Sequence, residues 1–167
     1  MSTKRLLPLF ALCCSLVGLP AWAIDVGEHA PNLTAKTLDG ETFDLRKQAG
    51  QVVIVNFWAS WCEPCRAEMP AMEAYYQQHK GEGLKIIAIS MDEPEDDAMV
   101  HKVMAGYSYP AAFQRNADFK GFGRVWRMPM TYVIDRQGVV RKDGSVGDPK
   151  IDRALLDQLV NPLLATH

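Results

Sequence analysis

Two cysteines three residues apart, in the run Trp61-Cys62-Glu63-Pro64-Cys65, are the residues of this chain best placed by type and spacing to do chemistry. A C-x-x-C pair on one turn of chain closes a disulfide with little distortion. At the start of a helix, Cys62 would face unpaired backbone N–H groups and the positive end of the macrodipole, which favour its thiolate. The thiolate is the attacking species in disulfide exchange. Pro64 suits the first helical turn, where a missing N–H loses nothing. Glu63 acts in the opposite sense, because a nearby carboxylate disfavours a second negative charge. Two plainer readings compete. A purely structural disulfide rarely sits between a strand and a helix with a tryptophan just before it. Half of a zinc site would need a second C-x-x-C or a His pair at ligand spacing, and His29, His79, His101 and His167 are scattered. Redox catalysis, with no metal and no cofactor, is the expectation.

The surrounding elements must supply that strand-to-helix junction. Residues 51–58 (QVVIVNFW) form a nearly continuous apolar run rich in β-branched residues, as in a strand covered on both faces. A helix is expected from about Glu63 to Lys80, with Met69, Met72 and Tyr76 at helical spacing and Gly81 and Gly83 to end it. Residues 84–90 read as a second buried strand, 95–105 as a second helix and 111–114 as a short strand. Residues 131–135 and 139–142 flank Arg136-Gln137-Gly138, a hairpin signal. Residues 151–164 read as a closing amphipathic helix that Pro162 would cut short. Ahead of them all, residues 32–44 read as a hairpin about Asp39-Gly40. This order predicts an α/β domain: a parallel pair, an antiparallel edge and helices on both faces. It is the thioredoxin-like order, with an N-terminal hairpin extension and a helix-containing insertion at about 92–120.

Composition narrows the function. The 167 residues are 48% apolar and 23% charged, enough for one domain and too few for two of ordinary size. Eighteen basic against twenty acidic residues give a net charge of −2, which argues against nucleic acid as a partner. No apolar run reaches the about 18–20 residues needed to span a bilayer. Lys4-Arg5, the apolar stretch from Leu6 to Leu19, Pro20 and Ala21-Trp22-Ala23 follow the order of a secretory signal peptide. Residues 1–23 are therefore read as that signal, either cleaved after Ala23 or retained as an anchor, and 24–167 as the domain. Cleavage removes two basic groups and leaves a charge of −4. Cys13 and Cys14 leave with the signal, and Leu12 before Cys13 is a poor fit to a lipidation site. Cys62 and Cys65 are then the only thiols, too few for a disulfide framework.

The segment 52–70, VVIVNFWASWCEPCRAEMP, resembles the active site of the TlpA/ResA-like thiol–disulfide oxidoreductases, exported thioredoxin-fold proteins that include cytochrome c maturation reductants. The resemblance extends over about 24–164. It implies a redox-active pair with Cys62 as the exposed nucleophile and Cys65 as the resolving thiol. Asn56 stands where thioredoxin carries a buried Asp, so that acid–base group is absent. Glu68 matches the carboxylate that ResA-like members place beside the cysteines. Its spacing puts it within a turn of Cys65 on the same helix face. From spacing alone a proton carrier and an ordinary surface charge stand equal; the resemblance favours the carrier.

Met128-Pro129-Met130-Thr131 is the second local signal. A generic X–Pro bond is cis only about 5–6% of the time. In thioredoxin folds the proline before the third strand is cis and faces the C-x-x-C pair, and Pro129 matches it. The resemblance makes Met128 the backbone site that pairs with an extended substrate. Trp61, beside the nucleophile, is expected to line the substrate surface, and Met128 and Met130 could do the same. Phe57, Trp58, Phe113 and Phe122 read as core. The five acids between Asp92 and Asp97 read as favourable charge before a helix rather than a calcium or partner site.

The leading expectation is an exported oxidoreductase acting on protein disulfide or dithiol clients. The resemblance implies reduction, with apocytochrome c a common client and a membrane thiol as electron donor. The alternative is a copper-handling protein using the thiolates with Met128 or Met130 as soft Cu(I) ligands. A peroxiredoxin reading fails, because Val55 and Ala59 stand where Pro-x-x-x-Thr-x-x-Cys needs Pro and Thr.

Overall fold

The computed structural model describes residues 24–166. The expected signal peptide at 1–23, with Cys13 and Cys14, and the terminal His167 lie outside the described residues. Strand β1 (Thr34–Lys36) and β2 (Thr42–Asp44) form the expected N-terminal hairpin, with Gly40 at φ +89° supplying its turn. They are followed by β3 (Val52–Trp58), α1 (Glu63–His79), β4 (Leu84–Ser90), α2 (Asp97–Met104) and β5 (Ala111–Phe113). Then come β6 (Ala117–Asp118), β7 (Met130–Ile134), β8 (Val140–Lys142) and α3 (Arg153–Ala165).

The central sheet has the order β5-β4-β3-β7-β8. β3 is buried at all seven positions and runs parallel to β4, from Val52 opposite Leu84 to Trp58 opposite Ser90. β5 adds a third parallel strand where a pair was expected, with Ala88 opposite Ala111. β7 is antiparallel to β3 and β8 antiparallel to β7, the predicted hairpin edge.

Alternate side chains of these strands enter two separate cores. Val52, Ile54, Trp58, Ile86, Ala88 and Val133 face one; Val53, Val55, Phe57, Ile87, Tyr132 and Ile134 face the other. The buried apolar residues of α1, α2 and α3 all join the first core and none joins the second. Helices on both faces, as the element order suggested, are therefore not what forms. The steps β3–α1–β4 and β4–α2–β5 move the same way across the sheet, and right-handed crossovers then put both helices on one side. The second face is covered by a small sheet, β2-β1-β6, and by the turn around Phe122. β6, which the sequence did not announce, pairs with β1 and completes that cover. Rings fill the space beneath it, with Phe57 and Phe119 centroids 5.1 Å apart and Phe122 and Tyr132 also 5.1 Å apart.

Helix bounds fall within two residues of expectation, and two of the ends have a physical reason. Residues 94–96 form a single 3-10 turn, so α2 starts at Asp97 rather than Glu95. Pro162 does not cut α3 short. It lies in the last turn, where only one helical hydrogen bond is forfeited, and Leu164 beyond it is buried.

Candidate active site

The chain leaves the buried end of β3 and turns at once, the Cys62 N–H donating to the Ala59 carbonyl at 3.1 Å. Cys62 is the N-cap of α1, in extended conformation, and Pro64 lies in the first turn as expected. The Cys65 N–H donates to Cys62 Sγ at 3.3 Å, so one of the unpaired helix donors points at this sulfur. The two cysteines are joined by a disulfide with their Cα atoms 5.3 Å apart. Cys62 keeps 6% of its surface and Cys65 none. The asymmetry runs in the expected direction, but Cys62 is not an exposed side chain in the disulfide form. Its sulfur is taken up by Cys65 and the helix end. The exposed group is Trp61, at 63%.

The Met128–Pro129 peptide bond is cis, as the resemblance implied. Phe57 lies opposite Met130 in the sheet, so Pro129 sits at the end of β7 next to the end of β3 from which the Cys62 loop departs. Met128 is half-buried and packs against the core that holds both cysteines. Met130 belongs to the opposite core and is fully buried, so it cannot line a substrate surface. Strict alternation would put residues two apart on one face, but Met128 lies ahead of β7, before Pro129, and takes the other side.

Glu68 is buried, not a surface charge. It lies on the buried face of α1 with Cys65. Burial lifts its carboxyl to about 7, against the opposing effects of the Ile151 N–H, the Asn56 amide and the positive charge of Lys142. The Ile151 N–H donates to Oε2 and Asn56 Nδ2 to Oε1, both at 3.1 Å. Asn56 Nδ2 also donates to Thr131 Oγ1 at 2.9 Å. Asn56 thus replaces an acid–base group with a bracket for one. A single amide in an otherwise apolar buried strand was the signal for this, since such a group needs partners. Which partners it finds depends on α1 and β7 meeting above it. The same spot demands Gly144: a Cβ there would lie 2.5 Å from the Thr131 backbone nitrogen.

Asp92 overturns its expected role. It is buried at 1% exposure and does not serve as charge before α2. Its two oxygens accept the Ser60 N–H, both at 3.0 Å, while the hydroxyls of Ser60 and Ser90 donate at 2.6 and 2.8 Å. Only the acids after it flank the start of α2, and Asp97 pairs there with Arg115 at 2.5 Å. Sequence position hid this, because Asp92 is the first of a run of acids whose other members face solvent or the helix.

Comparison with known proteins is consistent across sequence and structure. Residues 26–143 match the AhpC/TSA family. The thiol-disulfide oxidoreductase ResA of Bacillus thuringiensis (strain Al Hakam) is 32% identical over 117 residues, covering 70% of this chain and 68% of that protein. The thioredoxin-like protein YneN of Bacillus subtilis (strain 168) is 33% identical over 144 residues, covering 78% and 84%. A Chlorobium tepidum structure assigned as a thiol:disulfide interchange protein of the DsbE type superposes with a TM-score of 0.72 at 31% identity, covering 86% of this chain and all of that one.

Proposed function

The chain belongs to the AhpC/TSA family and is a ResA/TlpA-like thiol–disulfide oxidoreductase of thioredoxin fold, and from that premise we propose that it reduces protein disulfides outside the cytoplasm. In this reading the Cys62 thiolate attacks one sulfur of a client disulfide. A mixed disulfide forms and the client's other sulfur leaves as a thiolate, which takes up a proton. Cys65 gives its proton to the Glu68 carboxylate and attacks Cys62 Sγ. The Cys62–client bond breaks and the second client sulfur leaves as a thiolate, which takes up a proton from water as Glu68 later returns its own. The client gains two electrons and the pair is left as the disulfide. The client strand docks along the Met128 backbone beside cis-Pro129, with Trp61 at the rim. A membrane dithiol returns the pair to its reduced form.

The observation that carries this is the Cys62–Cys65 disulfide at the N-terminus of α1, with a buried carboxyl near 7 one turn behind it. A carboxyl at that value is matched to proton transfer near neutral pH. Export rests on the Lys4-Arg5 to Ala23 pattern and on the DsbE-type relative; apocytochrome c as client rests on the resemblance alone. The Cu(I) alternative loses one of its soft ligands, because Met130 is buried on the far side of the sheet.

The deciding measurement is the reduction potential of residues 24–167 with turnover of insulin disulfides. A potential near the about −270 mV of thioredoxin supports a reductant, and one near the about −120 mV of DsbA overturns it. Stoichiometric copper uptake without insulin reduction would establish the alternative instead.

A further inference from the structure

When the disulfide opens, Cys62 loses the covalent bond that fixes its sulfur over α1. It is then held from the α1 side by the Arg66 N–H on its carbonyl and from the other side by the backbone from Trp58 to Cys62. That backbone is tied from one side. The Met91 N–H donates to the Trp58 carbonyl at 2.8 Å. Next to it the buried Asp92 carboxylate grips Ser60, two residues before the nucleophile, through the Ser60 N–H and hydroxyl. Its other anchor is the end of β4, through the Ser90 hydroxyl, whose oxygen in turn accepts the Asp92 N–H at 3.2 Å. Among the described residues no lysine, arginine or histidine pairs with Asp92, so its oxygens are held by these donors alone. A buried carboxylate that exists only to join two pieces of chain is costly unless every bond is made. One of the two pieces is the segment that aims the reacting sulfur.

We propose that Asp92 is a positioning residue of the exchange reaction, holding the Ser60–Cys62 segment so that the reduced Cys62 sulfur stays over the N-terminal amides of α1. The proposal rests on Cys62 being the nucleophile. Cut loose, the segment would let the sulfur drift from the Cys65 N–H, and its thiolate would lose the stabilisation that a helix end provides. Asp92→Asn also removes a negative charge near Cys62, which alone would move the Cys62 profile down, so an upward shift reports lost positioning. Ser60→Ala changes no charge and leaves Glu63, Cys65, Arg66 and Glu68 in place.

The test is the rate of iodoacetamide alkylation of the reduced full-length protein against pH, with the labelled cysteine identified by mass spectrometry and folding followed by thermal melts. Asp92→Asn is expected to shift the Cys62 profile upward by about one pH unit and slow labelling at pH 7 about tenfold. Ser60→Ala, which removes one hydroxyl donor and keeps the N–H, shifts it the same way by less. A cooperatively folded Asp92→Asn with the unaltered profile overturns the proposal. Should that variant not fold, an unaltered profile in Ser60→Ala overturns it equally. Labelling of the unaltered protein at Cys65 before Cys62 would instead overturn the assignment of the nucleophile.

Discussion

Asn56 and Phe57 are neighbours in one strand, both without solvent exposure, and they look into opposite halves of the molecule. Asn56 faces the helices, where it holds Glu68 and Thr131. Phe57 faces the small sheet, where it meets Phe119, Phe122 and Tyr132. The helix side thus encloses a polar cluster beside the cysteines, and the small-sheet side is aromatic and aliphatic packing. The contrast shows how a single sheet separates tasks. One face accepts the cost of buried polar groups so that protons can move near a sulfur, and the other supplies burial alone.

Substitutions on the two faces should therefore fail in different ways. The largest effect is expected from Cys62→Ala, which abolishes insulin reduction while leaving the melting curve close to that of the unaltered protein in its reduced form. Cys65→Ala should accumulate a mixed disulfide with clients on non-reducing gels. Capture by Cys62→Ala instead would reverse the two roles. On the far face, Phe57→Ala should cost about 3–5 kcal/mol in urea unfolding with the activity of the folded fraction retained. Loss of activity without loss of stability there would break the division of tasks.

Glu68→Gln tests the helix side through pH. The folded disulfide form holds the Glu68 proton up to about 7, against 4.5 for the ordinary group. Between those values the folded state binds more protons than the unfolded chain, so stability falls as pH rises. This contribution is complete below the unfolded value and gone above the folded one, about 3 kcal/mol in all. Glu68→Gln should flatten that slope, exceed the unaltered protein in stability at pH 8, and slow turnover about 10²-fold with loss of the inflection near 7. An unchanged pH–rate profile would remove Glu68 from the proton path. Gly144→Ala should have the smallest effect, about 1–3 kcal/mol of strain against the Thr131 backbone, measured by thermal unfolding.

What could be read from sequence was local or carried by motif. The C-x-x-C pair at a strand-to-helix junction, the hairpin about Gly40 and the two buried strands stand where their residues predict, and the cis peptide before Pro129 where the resemblance implied it. What could not be read depends on which side of the sheet a connection takes. The element order 3–4–5 is visible along the chain, but the placement of β5 beyond β4 is not, and that placement decides that the helices gather on one face. Asp92 is the same lesson at a single residue. Its neighbours Glu93, Glu95, Asp96 and Asp97 carry equal charge, and only the approach of Ser60 after β3 has folded makes Asp92 a buried acceptor. Glu68 was identified by spacing, but its bracket was not. Asn56 is twelve residues away from it, and Ile151 is eighty-three.

The β1–β6 pairing has a consequence for the order in which the chain can fold as it is made or delivered from its N-terminal end. Thr34 and Ala35 pair with Asp44 and Phe43 in the hairpin, but they find their second partners only at Asp118 and Ala117. Until then the first hairpin has three-residue strands and no neighbour, which is too little to persist by itself in water. Val53, Val55, Phe57, Ile87 and Ile89 emerge in the meantime, and the lid that hides them is still missing its third strand. A chain halted before residue 117 would present an aromatic and aliphatic sheet face to any passing holdase. One extended past it gains the third strand of that cover, with Phe122, Met130, Tyr132 and Ile134 still to follow. The two-residue strand is thus a latch on one face of the domain, far from the sulfur chemistry, closing ahead of β7 and β8.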